Sequence, residues 1–197
     1  ITVTTGTVDV DGEFDATGGF VTFTGAGELI VDSTVTSLGT LTDDAGKVTY
    51  NGATSQTIVA GAYSSLKASD AAGTKTLGGA VTVAGALTID AGVTVAMGAN
   101  TLAVTGASNI DGTLDVAAST LTLAGASAVG GAITVTTGTV DANGAFDATG
   151  GAVTFTGAGN LQLAGVVTSL GALTDSDFGT VTYDANGDQD IVLDEYV

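Results

Sequence analysis

The run best suited to chemistry is Asp184-Ala185-Asn186-Gly187-Asp188-Gln189-Asp190, with Glu195 beyond it. Oxygen side chains at alternate positions and a carboxylate at the twelfth place follow the ligand pattern of a calcium loop. Asp184, Asn186, Asp188, Asp190 and Glu195 form the candidate metal set, with calcium the only cofactor considered. The pattern departs from the loop at its sixth position, where Gln189 replaces the expected glycine; Gly187 stands at the fourth. The competing reading is a solvated acidic turn. A second cluster, Asp9, Asp11, Glu13 and Asp15, has spacing that puts four carboxylates on one side of a strand or turn. Paired carboxylates can hydrolyse glycosidic bonds, but with 21 acids in 197 residues some pairing is inevitable. The remaining catalytic vocabulary is thin. There is no His to act as general base or zinc ligand, no Cys, and no Arg; the cations are Lys47, Lys67 and Lys75 alone. The expectation is a protein that is not an enzyme.

Thr-x-Thr pairs, among them those beginning at Thr2, Thr22, Thr34, Thr40, Thr120, Thr134 and Thr154, raise a further reading. A flat Thr array on a β-solenoid can bind ice, but it needs one pair per turn. Between Thr42 and Thr120 only Thr74-Lys75-Thr76 qualifies. Ordinary outward packing of β-branched residues explains the pairs better.

A formal charge of −18 excludes nucleic acid, whose binding rests on Lys and Arg at phosphates, and disfavours anionic membranes. It favours solubility, with cations or surface polysaccharide as outside partners. Hydrophobic residues nevertheless make up 44% of the chain, too many for a disordered acidic tail. With no Pro or Trp and only ten aromatics, the core must be built from Val, Leu, Ile and Ala. No apolar run is long enough for a membrane-spanning helix. A transmembrane barrel is disfavoured because the aromatics do not gather at strand ends. The sequence opens at Ile1 without a basic-then-apolar leader, which reads as a processed mature protein or a piece of a longer one.

The elements that must carry these side chains are short strands. Val81-Thr82-Val83, Leu87-Thr88-Ile89, Leu102-Ala103-Val104 and Leu121-Thr122-Leu123 alternate with period two, and Gly, Ala-Gly or Ala-Ser bounds each run. Such strands permit a sandwich, a barrel or a solenoid, and repetition decides. Residues 1–43 recur at 133–175 with 32 of 43 positions identical, and the match extends so that 1–63 resembles 133–196. In the second copy only Asp141 and Asp147 of the acidic cluster survive, beside Asn143 and Ala145. That loss reads as a tolerant surface. Modules duplicate readily in a solenoid because each turn contacts only its neighbours. The expected fold is all-β: one continuous single-chain parallel β-solenoid over 1–197. Turns of roughly 20–25 residues would give about nine turns, a rod of about 40–45 Å, and a long repeat of about six turns. Phe14 and Phe146, Phe23 and Phe155, and Tyr50 and Tyr183 should occupy equivalent places. Phe23 should point inward, and Phe20, whose counterpart is Ala152, outward.

Val48-Thr49-Tyr50-Asn51-Gly52 followed by Gln56-Thr57-Ile58, Tyr63 and Leu66 resembles a module of bacterial surface β-helical repeat proteins, the autotransporter passengers and filamentous-haemagglutinin-like adhesins and fibres. The strand ladder from Gly73 to Gly106 looks like the one that follows this module in that family. The resemblance covers most of the chain and implies an extracellular or cell-surface setting and no catalytic residues. The chain departs from the family in having less Asn and few cations.

The expected function is a structural subunit of an extracellular fibre, sheath or matrix filament, with a second copy of itself as partner. Assembly would run head to tail through uncapped ends, with Ile1, Val3, Phe20, Ile191, Leu193, Tyr196 and Val197 as the interface. The alternative is the stalk of a cell-surface adhesin. An ice-binding or polysaccharide-degrading β-helix is a remoter one.

Overall fold

Alternation alone makes each run a strand with one apolar side, and no such strand is stable until that side is covered. In the computed structural model, which describes residues 1–43, 45–70, 72–175 and 178–192, the chain covers it by coiling. Twenty-eight short strands run from β1 (Thr2–Val3) to β28 (Thr180–Tyr183), with no helix among the described residues. Every strand pairing is parallel, and within each ladder a strand pairs with the one three further along the chain. The protein is therefore a three-sided parallel β-solenoid of about nine turns. The turns are slightly shorter than the sequence suggests: Ser65 lies on Lys47, a step of 18, and Ser169 on Asp147, a step of 22.

The first face carries β1, β4 (Phe20–Phe23), β7 (Thr40–Asp43), β10 (Gly61–Tyr63) and every third strand up to β28. The second runs without a break from β2 (Thr7–Val10) to β26 (Val167–Ser169). The third runs from β3 (Phe14–Asp15) through β6 (Val35–Ser37) and β9 (Gln56–Ile58) to β27 (Ala172–Asp175). Inside, like residues stack in columns. Val81, Leu102, Leu121, Val140 and Leu161 lie one above another on the first face, and all are buried. Each such side chain contributes about 1.5–3 kcal/mol of burial. The corner between the first and second faces is built by stacked glycines. A Cβ on Gly125 would stand 2.2 Å from the carbonyl oxygen of Gly106, and one on Gly144 2.2 Å from that of Gly125. Only glycine lets successive corners approach this closely.

The duplicated block spans β1 to β7 and recurs as β21 (Ala132–Val135) to β27. The step is twenty strands, hence six and two-thirds turns rather than six. Each strand of the block therefore reappears on a different face. β1 lies on the first face and β21 on the third; β2 lies on the second and β22 (Thr139–Ala142) on the first. Interior packing survives the rotation. Phe23 and Phe155 are each 1% exposed, and Phe14 and Phe146 are both buried. Phe23 sits between Val3 and Asp43 in register, as Phe155 does between Val135 and Asp175. Phe20 points outward and is 63% exposed, as the alternation requires.

A buried polar joint and an acidic corner as candidate functional sites

Among the described residues two of the three ladders break, that of the third face between the second and third turns and that of the first face between the third and fourth. β7 and β10 pack side by side without pairing, as do β6 and β9. Buried backbone groups at such a break must find other partners, and the segment that resembles the surface-protein module supplies them. Gln56, 4% exposed, accepts from the Gly52 N–H at 2.7 Å through Oε1 and donates through Nε2 to Val31 O at 2.9 Å and Ser33 O at 2.7 Å. Tyr50 and Tyr63 place their hydroxyls 3.0 Å apart. Tyr50 accepts from the Val59 N–H at 3.0 Å, and Tyr63 donates to Val59 O at 2.5 Å. From the turn above, Lys75 points inward beside Leu77 and donates through Nζ to Gly52 O and Thr54 O.

Burial sets the electrostatics of this joint. It pushes both tyrosine hydroxyls above their ordinary range, and Tyr50 adds to the effect on Tyr63. It pushes the Lys75 ammonium down, against the pull of Asp70 and Asp32. The two hydroxyls are consumed by each other and by Val59, and neither reaches solvent. The arrangement supplies side-chain hydrogen bonds to the backbone of the corners on either side of β9.

The second copy rebuilds the joint two-thirds of a turn further round. Gln189 donates to Leu163 O and Gly165 O, both at 2.8 Å, and accepts from the Ala185 N–H at 3.2 Å; Val192 N–H donates to the Tyr183 hydroxyl at 3.3 Å. The calcium-loop residues fall in this segment. Gln189, at the position where such a loop would carry glycine, is a bracket. Asp184, Asn186, Asp188 and Asp190 are exposed, and Glu195 lies outside the described residues.

Among the described residues, the one trio of carboxylates whose oxygens lie within 4.8 Å of one another is Asp9, Asp11 and Asp32. Sequence spacing placed Asp9, Asp11, Glu13 and Asp15 on one side. Instead, the chain turns from the second face to the third across Asp11 to Glu13 and divides them. Glu13 accepts from the Thr36 hydroxyl at 2.9 Å, and Asp15 caps a turn by accepting from the Thr17 N–H and hydroxyl. Those two bonds hold Asp15 below the usual carboxylate range, and Asp147 repeats the motif with Thr149. Asp32 joins Asp11 because each turn continues its second-face ladder into this corner: Asp32, Asn51, Ser69, Asp90 and Asp111 each donate a backbone N–H to the turn below. The column relieves its own repulsion. Asn51 donates to Asp32 at 2.9 Å, and Ser69 and Lys67 both reach Asp90. Burial would raise Asp90 and Glu28, but Lys67 and Ser69 at the one, and Thr49 and Lys47 at the other, outweigh it and hold both low.

The Thr-x-Thr pairs do not form one array. Thr2, Thr22 and Thr42 stack on the first face, whereas Thr134, Thr154 and Thr174 stack on the third.

Of the assembly residues, Ile1, Phe20 and Ile191 are exposed, Val3 is buried in the first turn, and Leu193, Tyr196 and Val197 lie outside the described residues. Sequence reasoning missed Lys75 as an interior residue. Its signal was present, because alternation in Thr74-Lys75-Thr76-Leu77 puts Lys75 on the side of Leu77.

No protein-family model, curated protein or solved structure matches the chain.

Proposed function

We propose that this chain is a structural rod, a subunit of an extracellular fibre, sheath or matrix filament lengthened head to tail. The observation that carries this reading is the rotation of the duplicated block. A face selected for binding would have to present its groups in register along one side. The duplication instead moves each strand to another side while keeping its interior residues. What the repeat preserves is the capacity to stack, and the working property of such an object is its length. The extracellular setting rests on the resemblance of the joint segment to bacterial surface modules.

Apolar surface near both ends of the described rod supports self-association. Ile58 is 1% exposed because Leu77 lies over it, whereas its counterpart Ile191 is 65% exposed. Ile1 and Phe20 are exposed on the lowest turns. Acids are concentrated at these same ends, eight by residue 44 and seven from residue 175 onward. Association is therefore favoured by salt or divalent cations, which screen the repulsion.

Negative-stain microscopy across concentration and salt tests the proposal. The expected result is rods that grow by about 40–45 Å per added copy at physiological salt, with growth abolished by Ile191→Asp. Single rods of constant length under all conditions would overturn it and favour the adhesin-stalk reading, which needs the same rod without self-association.

A further inference from the structure

The chain contains three Asn-Gly pairs, at Asn51, Asn143 and Asn186, and the fold treats them differently. In an Asn-Gly pair the glycine backbone nitrogen attacks the asparagine side-chain carbonyl carbon. A C–N bond forms, ammonia leaves, and water then opens the succinimide to aspartate or isoaspartate. The reaction needs a free glycine nitrogen and a mobile asparagine side chain, so whatever holds either one slows it.

At the first joint both are held. Gly52 N–H is bound by Gln56 Oε1 at 2.7 Å, and Asn51 Nδ2 by Asp32 at 2.9 Å; Gly52 is buried. At Asn143 the glycine lies in the stacked corner. Gly144 N–H reaches Leu123 O at a long 3.3 Å, and the Asn143 side chain is exposed. At Asn186 both residues are exposed. Gly187 N–H bonds only within its own turn, to Ala185 O at 3.0 Å, and a Cβ on Gly187 would meet nothing within 4 Å. In the second joint the Gln189 bracket holds Ala185 N–H and leaves the Asn-Gly pair outside it.

We propose that Asn186 is the site of spontaneous deamidation in this protein, with Asn143 slower and Asn51 protected by the Gln56 bracket. The product adds a carboxylate beside Asp184, Asp188 and Asp190. In its isoaspartate form it also lengthens the backbone three residues before Gln189, which loosens the bonds to Leu163 O and Gly165 O. Ageing therefore begins at the second joint and spares the first.

Attack at Asn51 requires two bonds to open, against the single Gly187 bond at Asn186, so it should be slower there by about fivefold or more. The test is incubation of the purified chain at mildly alkaline pH, followed by peptide mapping with mass spectrometry and isoaspartate detection. The expected order of product is Asn186, then Asn143, then Asn51, with Gly187→Ala suppressing the first. Gln56→Ala should raise the rate at Asn51 while leaving that at Asn143 unchanged. Equal rates at Asn51 and Asn186 in the unmodified chain would overturn the proposal. So would a Gln56→Ala variant in which Asn51 stays slow, or in which Asn143 accelerates equally, because protection would then come from global folding and not from the bracket.

Discussion

The two copies of the duplicated block differ almost entirely on the outside. Of the eleven positions that change between residues 1–43 and 133–175, only Val10 to Ala142 and Val31 to Leu163 face the interior. Four of the others replace an acid: Asp11, Glu13, Glu28 and Asp32 become Asn143, Ala145, Asn160 and Ala164. The interior is constrained because a turn packs against two neighbours at close to crystal density. The exterior is free because the block lands on a different face, beside different residues. Asp11 and Asp32 meet at a corner in the first copy, where Asn51 and Ser69 continue the column and relieve it. The comparison teaches that this fold specifies its inside turn by turn and leaves its outside to local circumstance.

The strongest test of that equivalence is truncation of the matched phenylalanines. Phe23→Ala and Phe155→Ala should each cost about 3–5 kcal/mol in urea unfolding, and the two values should agree within about 1 kcal/mol. Each ring is buried and each presses on a glycine, Gly46 or Gly179, where a Cβ would lie 2.1 or 2.2 Å from its Cγ. A Phe23→Ala loss of under about 1 kcal/mol, with Phe155→Ala at full cost, would break the comparison. It would mean that the turns below the interrupted ladders unfold on their own, a possibility that hydrogen exchange would display as two protection levels.

The joints should separate by a smaller margin. Gln56→Leu strands Gly52 N–H, Val31 O and Ser33 O in a buried setting and should cost about 2–4 kcal/mol. Gln189→Leu removes the same bonds where the bracket is half-exposed, and water can replace them, so about 1 kcal/mol is expected. Thermal melts of the two variants measure the difference. Equal costs would show that the second joint is as closed as the first.

The least effect belongs to the exterior. Converting the first copy to the second at four sites, Asp11→Asn, Glu13→Ala, Glu28→Asn and Asp32→Ala, should change stability by under about 1 kcal/mol at physiological salt. It should also flatten the dependence of melting temperature on salt. A loss of several kcal/mol would mean that the corner column holds the fold together and is more than a tolerated surface.

Much of this is legible in the sequence. Val21 and Phe23 against Thr22 and Thr24 gave the inward side of β4, and the duplication selected a solenoid over a sandwich. The joint was half-legible. Gln56 and Gln189, Tyr50 and Tyr183 stood out as matched pairs, but a sequence match does not say which carbonyls a glutamine reaches. The calcium pattern at Asp184 to Asp190 is counted along the chain, whereas the partners of Gln189 within that run, Leu163 O and Gly165 O, lie more than twenty residues away. The grouping of Asp9, Asp11 and Asp32 was invisible for the same reason.

By itself, then, the sequence determined the strand, its inward side and the existence of a stack, because those follow from alternation and repetition, which are local. Only the tertiary structure decided which residues share a corner, that the repeat returns on another face, and that Lys75 and Gln56 meet at Gly52 in the corner beside the interrupted ladders. Those depend on the number of residues per turn. A turn of 18 to 22 residues cannot be counted from a two-residue period, because the corners absorb the differences: steps of 19, 20 and 21 residues all keep the same column inward.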